Sequence, residues 1–502
     1  MYLITMKERY RIILGYIGQL FTYFPIIIML PVMLFFWYSE NQFSEMLPFI
    51  YTALIVLVFG LAFRMTFKVK PGTPLTVQEG AIIVVLVWVF GIFFSSLPFY
   101  LGDILPFSQS VFESTSGWTT TGLTMVNEDA IPKIYLVWRS ILQFMGGAGF
   151  AIIMMSAIAG PGGFGLYHAE GRMDNLVPNV RSSVRRILVI YFGYALGGFI
   201  AYTWVGMNTF DAFNHSLTAL ATGGFSTHSS SIGGFNSISI EIVTIVLMFL
   251  GTTGFGIHYT LWKGNFRAFW KNGEPKLMGL TVIVFTPLLL ITTFSLIFTG
   301  VGEAFRHALF QGVSALTGTG FSTVDVSWWS SKGYHTGLYL LTLLMIFGGD
   351  MDSTSGGLKQ FRLFAIIKII FLEIKRFFLP RNAVVETEIW KGEKKQYIKP
   401  SLVKEILIIF TLYFVTFGIG TGILASYGHS LADASFEFAS ALSTVGLSVG
   451  ITGPDAPLGL IWTETAGMFL GRLEFLVIIF GITKLIKDVR FATKKQSRGD
   501  KS

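Results

Sequence analysis

The sequence predicts an all-α polytopic membrane protein in which four fused repeats of outer helix, pore loop and inner helix surround one central pore, preceded by two extra transmembrane helices. Of its 502 residues, 52% are hydrophobic and 13% are charged, a balance typical of chains that lie in a bilayer. A motif of small residues closed by glycine recurs roughly every 100 residues, which indicates a tandem array. Cysteine is absent, which excludes disulfides and thiolate metal sites.

Three landmarks align the four repeats. The motif itself ends at Gly122, Gly224, Gly320 and Gly446. A second glycine follows at the end of an apolar stretch, at Gly146, Gly251, Gly348 and Gly471. A polar residue precedes each motif, at Glu113, His215, Gln311 and Glu437. Landmarks that keep their order in all four units favour a true repeat over a chance likeness.

Ten apolar stretches are long enough to cross a hydrocarbon core, which takes about 20 helical residues. They lie near 12–38, 47–66, 79–101, 134–160, 184–206, 238–262, 277–299, 335–349 continuing to 373, 402–427 and 460–486. Four shorter segments, at 108–118, 211–221, 303–316 and 432–442, each end at a motif. We interpret them as re-entrant pore helices, with Asp211 and Asp433 as cap residues opening the second and fourth.

These elements divide the chain into five parts. They are an N-terminal two-helix preface (1–78) and four pore repeats at 79–166, 167–270, 271–400 and 401–502, the last with a basic tail. Lys and Arg concentrate in the connections of one side, and such loops are normally cytoplasmic. We therefore expect both termini to be cytoplasmic and all four motifs to open toward the outside.

The motifs have the composition of an ion filter. Non-helical backbone at membrane depth is tolerated only where it is buried in protein or lines a water-filled path. Glycine permits the backbone angles that turn carbonyls inward, and rings of carbonyls replace the hydration shell of a cation. The alternative is that each motif is an ordinary loop or a packing surface, which fourfold recurrence disfavours. The expected cation ligands are Thr120, Thr121, Gly122, Thr222, Gly223, Gly224, Gly318, Thr319, Gly320, Thr444, Val445 and Gly446.

A second unusual stretch interrupts the third inner helix at 348–359. It is rich in glycine, and each glycine costs a helix about 1 kcal/mol relative to alanine. The stretch is either a loop with a function of its own or a simple break between two packed helices. Arg472 follows the fourth anchor glycine, where a charge costs about 2.5–3.5 kcal/mol at the bilayer centre. We expect it to face the path or to pair with Asp350, Asp352 or Glu437, and we expect the four polar landmark residues to brace the motifs by hydrogen bonds.

Together these residues resemble the TrkH/TrkG–KtrB–HKT superfamily of potassium uptake proteins, and the two-helix preface is most similar to the TrkH branch. The resemblance covers essentially the whole chain. It rests on the four motifs, on Gly471-Arg472-Leu473-Glu474, on the run 353–359 and on Trp138-Arg139-Ser140 leading to Gly146. In that family, glycine in all four filters accompanies potassium selectivity and serine in the first accompanies sodium permeation. Gly122 therefore implies potassium, with the ion bound at the filter residues.

The resemblance also implies a gate and partners. Segment 348–359 would be an intramembrane loop that obstructs the pore, and Arg472 an electrostatic barrier beside it. Asp350 and Asp352 depart from the small uncharged residues expected in such a loop. The gate residues are Gly348, Gly349, Asp350, Asp352, Ser353, Thr354, Ser355, Gly356, Gly357, Lys359 and Arg472.

Family members are homodimers of the cytoplasmic (inner) membrane, regulated by a cytosolic nucleotide-binding subunit similar to TrkA and KtrA. We expect such a subunit to dock on the basic stretches 374–404 and 484–502. We expect no covalently bound cofactor, nucleotide only through this partner, and no nucleic acid.

Two other classes are less consistent with the pattern. A sodium- or proton-coupled secondary transporter typically has inverted repeats, whereas these four repeats share one orientation. An intramembrane aspartyl protease needs aspartates on two facing helices, but Asp350 and Asp352 lie on one segment. We therefore expect a transporter that is not an enzyme.

Overall fold

The structure, a computed structural model, describes residues 6–34, 43–69, 75–149, 180–380, 387–391, 394–473 and 475–499. Within this part of the chain, six helices are long and apolar enough to cross a membrane, or seven when one bent pair counts as a single span. The chain is therefore a mostly helical, multi-pass membrane protein. The six are Glu8–Met33, Phe43–Thr66, Gln78–Leu101, Ser183–Trp204, Gly273–Ile297 and Pro400–Ser426.

The preface consists of two packed helices. It comprises α1 (Met6–Ile28), its short continuation α2 (Leu30–Met33) and α3 (Leu47–Thr66). The Phe21 ring of α1 lies edge-on to Phe59 of α3 at 5.7 Å and to Phe94 at 5.4 Å. Phe94 belongs to the first repeat, so this aromatic cluster joins the preface to the repeat array.

The helices of the repeats follow in chain order. Repeat 1 has α4 (Val77–Leu101), α5 (Phe107–Trp118) and α6 (Lys133–Ala148). Repeat 2 has α7 (Val180–Trp204), α8 (Thr209–Leu220), α9 (Ile238–Thr252) and α10 (Phe255–Trp262), followed by the linker helix α11 (Phe266–Lys271). Repeat 3 has α12 (Gly273–Leu289), α13 (Ser295–Ile297), α14 (Val301–Thr317), α15 (His335–Phe347) and α16 (Gln360–Phe377). Repeat 4 has α17 (Pro400–Ser426), α18 (Leu431–Leu442), α19 (Leu458–Arg472) and α20 (Phe475–Gly499).

The four short helices α5, α8, α14 and α18 agree with the predicted pore helices, but the predicted caps are wrong. The N-cap residues of α8 and α18 are Asn208 and Ser430, whose side chains accept hydrogen bonds from the Asp211 and Asp433 amides. Both aspartates therefore lie in the first turn. A carboxylate is favourable there as well, because it faces the positive end of the helix dipole.

The inner helices also differ from the prediction. The stretch 238–262 was expected to be continuous, but α9 and α10 meet at an angle of 104°. Likewise 460–486 divides where α19 ends at Arg472 and α20 begins at Phe475. The first inner helix ends at Ala148, and the rest of its predicted span, 150–160, lies outside the described residues. Breaks in inner helices are therefore a repeated feature and are not confined to the third repeat.

A small hairpin near the end of repeat 3 was not predicted. Its strands β1 (Glu388–Lys391) and β2 (Lys394–Tyr397) pair antiparallel, with Ile389 opposite Gln396. Ile389 is buried in one apolar cluster with Met351, Phe361, Ala365 and Ile406. Because Met351 belongs to segment 348–359, the hairpin shares an apolar cluster with the segment that interrupts the third inner helix. The Lys395 ammonium bonds the Glu388 carboxylate and lowers its pKa. The Lys391 and Lys394 side chains lie outside the described residues.

Candidate functional site

The four motifs touch one another in a closed ring. At each closing glycine, a Cβ atom would lie far inside van der Waals contact with a backbone oxygen of the next motif. These distances are 2.4 Å from Gly122 to Gly223 O, 2.0 Å from Gly224 to Thr319 O, 1.9 Å from Gly320 to Val445 O and 2.1 Å from Gly446 to Thr121 O. The motifs therefore follow in chain order around one axis, and the fourth motif closes on the first.

All four motifs share one backbone conformation. The closing glycines have φ values from 74° to 95°, and the residues two positions earlier are also left-handed. Those earlier residues are Thr120 (55°), Thr222 (50°), Gly318 (68°) and Thr444 (53°). Threonine seldom adopts a positive φ because its branched Cβ crowds the backbone. Three threonines held in this conformation indicate that the surrounding structure imposes it.

The hydrogen bonds of the motifs explain the direction of their carbonyls. Four equivalent amides donate to carbonyls near the end of their own pore helix: Thr121 to Ser116 and Gly223 to Thr218, both 2.9 Å, Thr319 to Ser314, 3.0 Å, and Val445 to Ser440, 2.9 Å. In a planar trans peptide the C=O points opposite to the N–H. The carbonyls of Thr120, Thr222, Gly318 and Thr444 therefore point away from the pore helices and toward the ring.

The polar landmark residues brace the chain that follows each motif, as predicted. The Glu113 carboxylate accepts from the Met125 amide at 2.9 Å, and Glu437 accepts from the Val449 amide at 2.8 Å. Gln311 accepts from the Thr323 amide at 3.2 Å, and the His215 ring bonds the Ser226 hydroxyl at 3.0 Å. In all four repeats, the side chain at this equivalent pore-helix position thus holds in place the chain segment that follows the motif.

Two residues of inner helix α6 support the ring, a role that the sequence analysis did not assign to them. Arg139 bonds Glu113 at 2.7 Å and the Ser226 carbonyl at 3.2 Å, which connects repeat 1 to repeat 2. Gln143 bonds both the Gly223 carbonyl and the Phe225 amide. A glutamine and an arginine in an otherwise apolar span were the available signal, since buried polar groups require partners.

The anchor glycines have a steric role in three repeats. A Cβ on Gly146, Gly251 or Gly471 would lie 2.1, 2.2 or 1.8 Å from the carbonyl oxygen at the end of the preceding pore helix. These glycines let the inner helix touch the base of the motif. In repeat 3 a Cβ on the equivalent Gly348 would lie 2.2 Å from the Gly356 oxygen. The segment 348–359 therefore replaces the helix contact in this repeat.

Segment 348–359 forms a loop with a closed neck, which we call the intramembrane loop. The Leu358 amide donates to the Ile346 carbonyl at 3.0 Å, and the Gln360 side chain donates to the Gly348 carbonyl at 2.8 Å. Lys359 reaches back to the Ser355 carbonyl. These bonds hold the two ends of the loop together, so the segment is more than a break between two helices.

The intramembrane loop contacts all four motifs. Thr354 bonds the Thr120 hydroxyl through its carbonyl at 3.5 Å and the Thr222 hydroxyl through its own hydroxyl at 2.9 Å. A Cβ on Gly318 would lie 2.7 Å from Ser355 Oγ, and one on Gly356 would lie 2.2 Å from Thr444 Oγ1. Residues 354–356 therefore lie against the end of the ring formed by the left-handed residues.

Arg472 contacts the intramembrane loop and repeat 1 through backbone carbonyls. The Arg472 guanidinium donates to the Thr354 carbonyl and to the Gly146 carbonyl, the latter at 2.7 Å. Among the described residues, neither Asp350 nor Glu437 forms an ion pair with Arg472. The broken helix ends explain this outcome, because they leave carbonyls free to accept from the arginine.

The two aspartates lie at the break between α9 and α10. The Gly254 amide donates to the buried Asp350 carboxylate at 3.3 Å, and the Phe255 amide donates to the Asp352 carbonyl at 3.4 Å. The Asp350 amide in turn donates to the Thr252 carbonyl at 3.0 Å. The loop thus supplies the hydrogen bonds that the helix loses at its break.

These features define a membrane protein in which four pore-loop segments surround one pathway. The family model described as "TrkH: Cation transport protein" matches residues 48–489, and the chain belongs to this family. Its sequence is similar to an uncharacterised cation transporter of Methanocaldococcus jannaschii, with 28% identity over 96% of this chain and 97% of the relative. It is also similar to the Trk system potassium uptake protein TrkH of Halomonas elongata, with 29% identity over 93% of this chain and 97% of the relative.

The fold has a solved counterpart. The crystal structure of the potassium transporter TrkH from Vibrio parahaemolyticus superimposes with a TM-score of 0.80 at 26% sequence identity. The match covers 95% of this chain and 98% of the other. The similarity therefore includes the preface and all four repeats, as the sequence resemblance implied.

Proposed function

We propose that this protein takes up potassium across the cytoplasmic membrane through a channel-like pore in which the four motifs are the selectivity filter. The observation that carries the proposal is the closed ring of motifs with carbonyls turned away from the pore helices. Such carbonyls can replace the hydration shell of a cation. Potassium as the cargo is supported by relatives named as Trk system potassium uptake proteins.

The pore helices add an electrostatic contribution. α5, α8, α14 and α18 all end directly at a motif. The C-terminal end of a helix carries a partial negative charge of about 0.5 elementary charge. Four such ends around one ring favour a cation and disfavour an anion, without placing a formal charge in the path.

The intramembrane loop is the proposed gate. Its contacts with all four motifs support this role, because an ion leaving the ring on this side would then have to pass Thr354, Ser355 and Gly356. Arg472 supports this position through the Thr354 carbonyl. Opening requires the loop to exchange these contacts for others, and the glycines in the segment lower the cost of such a rearrangement.

Topology and partners complete the proposal. The distribution of Lys and Arg supports cytoplasmic termini and an outward-facing ring. A cytosolic nucleotide-binding regulatory subunit would dock on the basic surface of 374–404 and 484–502. The apolar cluster that joins Ile389 to Met351 offers a route from this surface to the gate. We also propose a homodimer, on the family resemblance alone, which light scattering of the purified protein tests.

The filter is tested by Gly122→Ser in sealed vesicles containing the purified protein. We expect wild-type vesicles to take up potassium in preference to sodium, and the variant to lose much of this preference because a Cβ at this position meets the Gly223 oxygen. A wild-type protein without potassium flux, or a variant with an unchanged flux ratio, contradicts the proposal.

The docking surface needs a separate experiment. Residues 491–502 are deleted and Lys391, Lys394 and Lys395 are replaced by glutamine. Binding of the purified regulatory subunit to the detergent-solubilised protein is then measured. We expect the altered protein to bind the subunit more weakly than the wild type does. The difference should be larger at low salt, because salt screens the attraction between surface charges. Undiminished binding rejects this surface as the docking site.

A further inference from the structure

The third motif lacks a side chain that the other three share. At the position two residues before the closing glycine, the other repeats have Thr120, Thr222 and Thr444, whereas repeat 3 has Gly318. All four residues have a φ value between 50° and 68°. Because threonine occupies this conformation in three repeats, the backbone does not require glycine at 318. Some other constraint selects it.

That constraint is the intramembrane loop. A Cβ on Gly318 would lie 2.7 Å from Ser355 Oγ, closer than two such atoms approach without a shift. Ser355 is buried, and its hydroxyl is held by the Gly349 amide at 3.2 Å. The serine therefore fills the space that a threonine side chain at 318 needs, and it brings a hydroxyl to that space.

The three threonine hydroxyls meet the same part of the loop. Those of Thr120 and Thr222 bond Thr354, and that of Thr444 lies beside Gly356. The Thr444 hydroxyl is fully buried and has no hydrogen-bond partner among the described residues. A buried hydroxyl oxygen without a partner destabilises the folded protein. A cation that accepts this oxygen as a ligand removes that cost.

We propose that Ser355 is the fourth hydroxyl ligand of an alkali-cation site formed with Thr120, Thr222 and Thr444 at the inner end of the filter. Gly318 is glycine because the gate supplies the hydroxyl for that repeat. The inference rests on the proposed function. Its consequence is that the loop both blocks the path and completes the innermost site. Movement of the loop removes a ligand, so the ion is held less tightly when the path opens, as conduction requires.

The test measures potassium affinity and flux separately. Potassium chloride is titrated into the purified protein in a buffer of constant ionic strength, and the rise in unfolding temperature gives a midpoint concentration. Ser355→Ala is expected to raise this midpoint about tenfold, the scale of one lost polar contact. Thr444→Val, which keeps the side-chain shape, is expected to act similarly. The control Ser110→Ala removes a buried hydroxyl that bonds only the Leu105 carbonyl at 3.0 Å, and leaves the midpoint unchanged.

The double variant Gly318→Thr with Ser355→Gly returns the hydroxyl to the motif itself. We expect its midpoint to lie within about twofold of the wild-type value. An unchanged midpoint in Ser355→Ala, or a double variant that behaves like Ser355→Ala, overturns the inference. If wild-type vesicles conduct potassium while Ser355→Ala has a normal midpoint, the inference alone fails. If wild-type vesicles conduct none, the proposed function fails and the inference fails with it.

Discussion

Arg139 and Glu113 form an ion pair with an Nε–Oε1 distance of 2.7 Å, and neither side chain is more than 1% exposed. Glu113 braces the chain after the first motif, and Arg139 also bonds the Ser226 carbonyl of repeat 2. The guanidinium lies 4.0 Å from the centre of the Phe225 ring as well. The pair thus joins a pore helix, an inner helix and the neighbouring motif behind the proposed filter.

Removing the arginine alone should be costly. Arg139→Gln leaves the Glu113 charge buried without its partner, which costs about 3–5 kcal/mol. We expect a lower unfolding temperature and reduced potassium flux. Arg139→Gln combined with Glu113→Gln should recover part of the stability. Arg306→Gln is the comparison, because Arg306 is 21% exposed in its pair with Glu241. Equal losses in Arg139→Gln and Arg306→Gln would contradict the assigned role.

The closing glycines should be sensitive because of crowding within the ring. Gly446→Ala places a Cβ 2.1 Å from the Thr121 oxygen, whereas Gly428→Ala, at the same φ of 95°, meets no atom within 4 Å. Both variants carry the cost of a left-handed alanine, about 1–2 kcal/mol. Only Gly446→Ala should also lose most potassium flux in vesicles. A comparable loss of flux in Gly428→Ala would show that backbone strain alone is responsible.

Shortening the intramembrane loop should open the path. Deleting 354–356 removes the residues that contact all four motifs. We expect potassium flux to rise about tenfold or more, because the deletion should make dominant an open state that is otherwise populated at only about 0.1–10%. The measurement is flux per reconstituted protein, with equal expression checked by immunoblot. Unaltered flux would show that the segment only connects two helices and does not obstruct the path.

Arg472 and Asp350 should act independently. Arg472 bonds carbonyls of Thr354 and Gly146, whereas Asp350 bonds the Gly254 amide at the break in the second inner helix. Arg472→Gln should raise flux because the loop loses a contact. Groups without a shared partner have additive effects within about 0.3–0.5 kcal/mol. The double variant Arg472→Gln with Asp350→Asn should therefore equal the combined separate effects on the logarithm of flux. A markedly milder double variant would show that Arg472 and Asp350 interact.

Repetition explains how much of the architecture the sequence revealed. Each repeat carries the same landmarks because each must form a pore helix, a left-handed motif and a close helix contact. The bracing residues Glu113 and Gln311 were predicted on this basis, and the structure confirms their hydrogen bonds. The helix breaks after Thr252 and after Arg472 were missed, because long apolar stretches flank both breaks on either side. Hydropathy records which residues prefer lipid or protein, but not whether backbone hydrogen bonds are continuous.

The sequence by itself determined the membrane class, the four repeats and the positions of the pore helices, because these follow from local composition and periodic landmarks. Only the tertiary structure decided the partners of charged and polar groups. Arg472 bonds the carbonyls of Thr354 and Gly146, and Ser355 occupies the place of a side chain missing at Gly318. The reason is that a polar side chain bonds whichever complementary group the fold brings within reach. At helix breaks between distant repeats, those groups are backbone amides and carbonyls, which every residue carries and no sequence pattern marks.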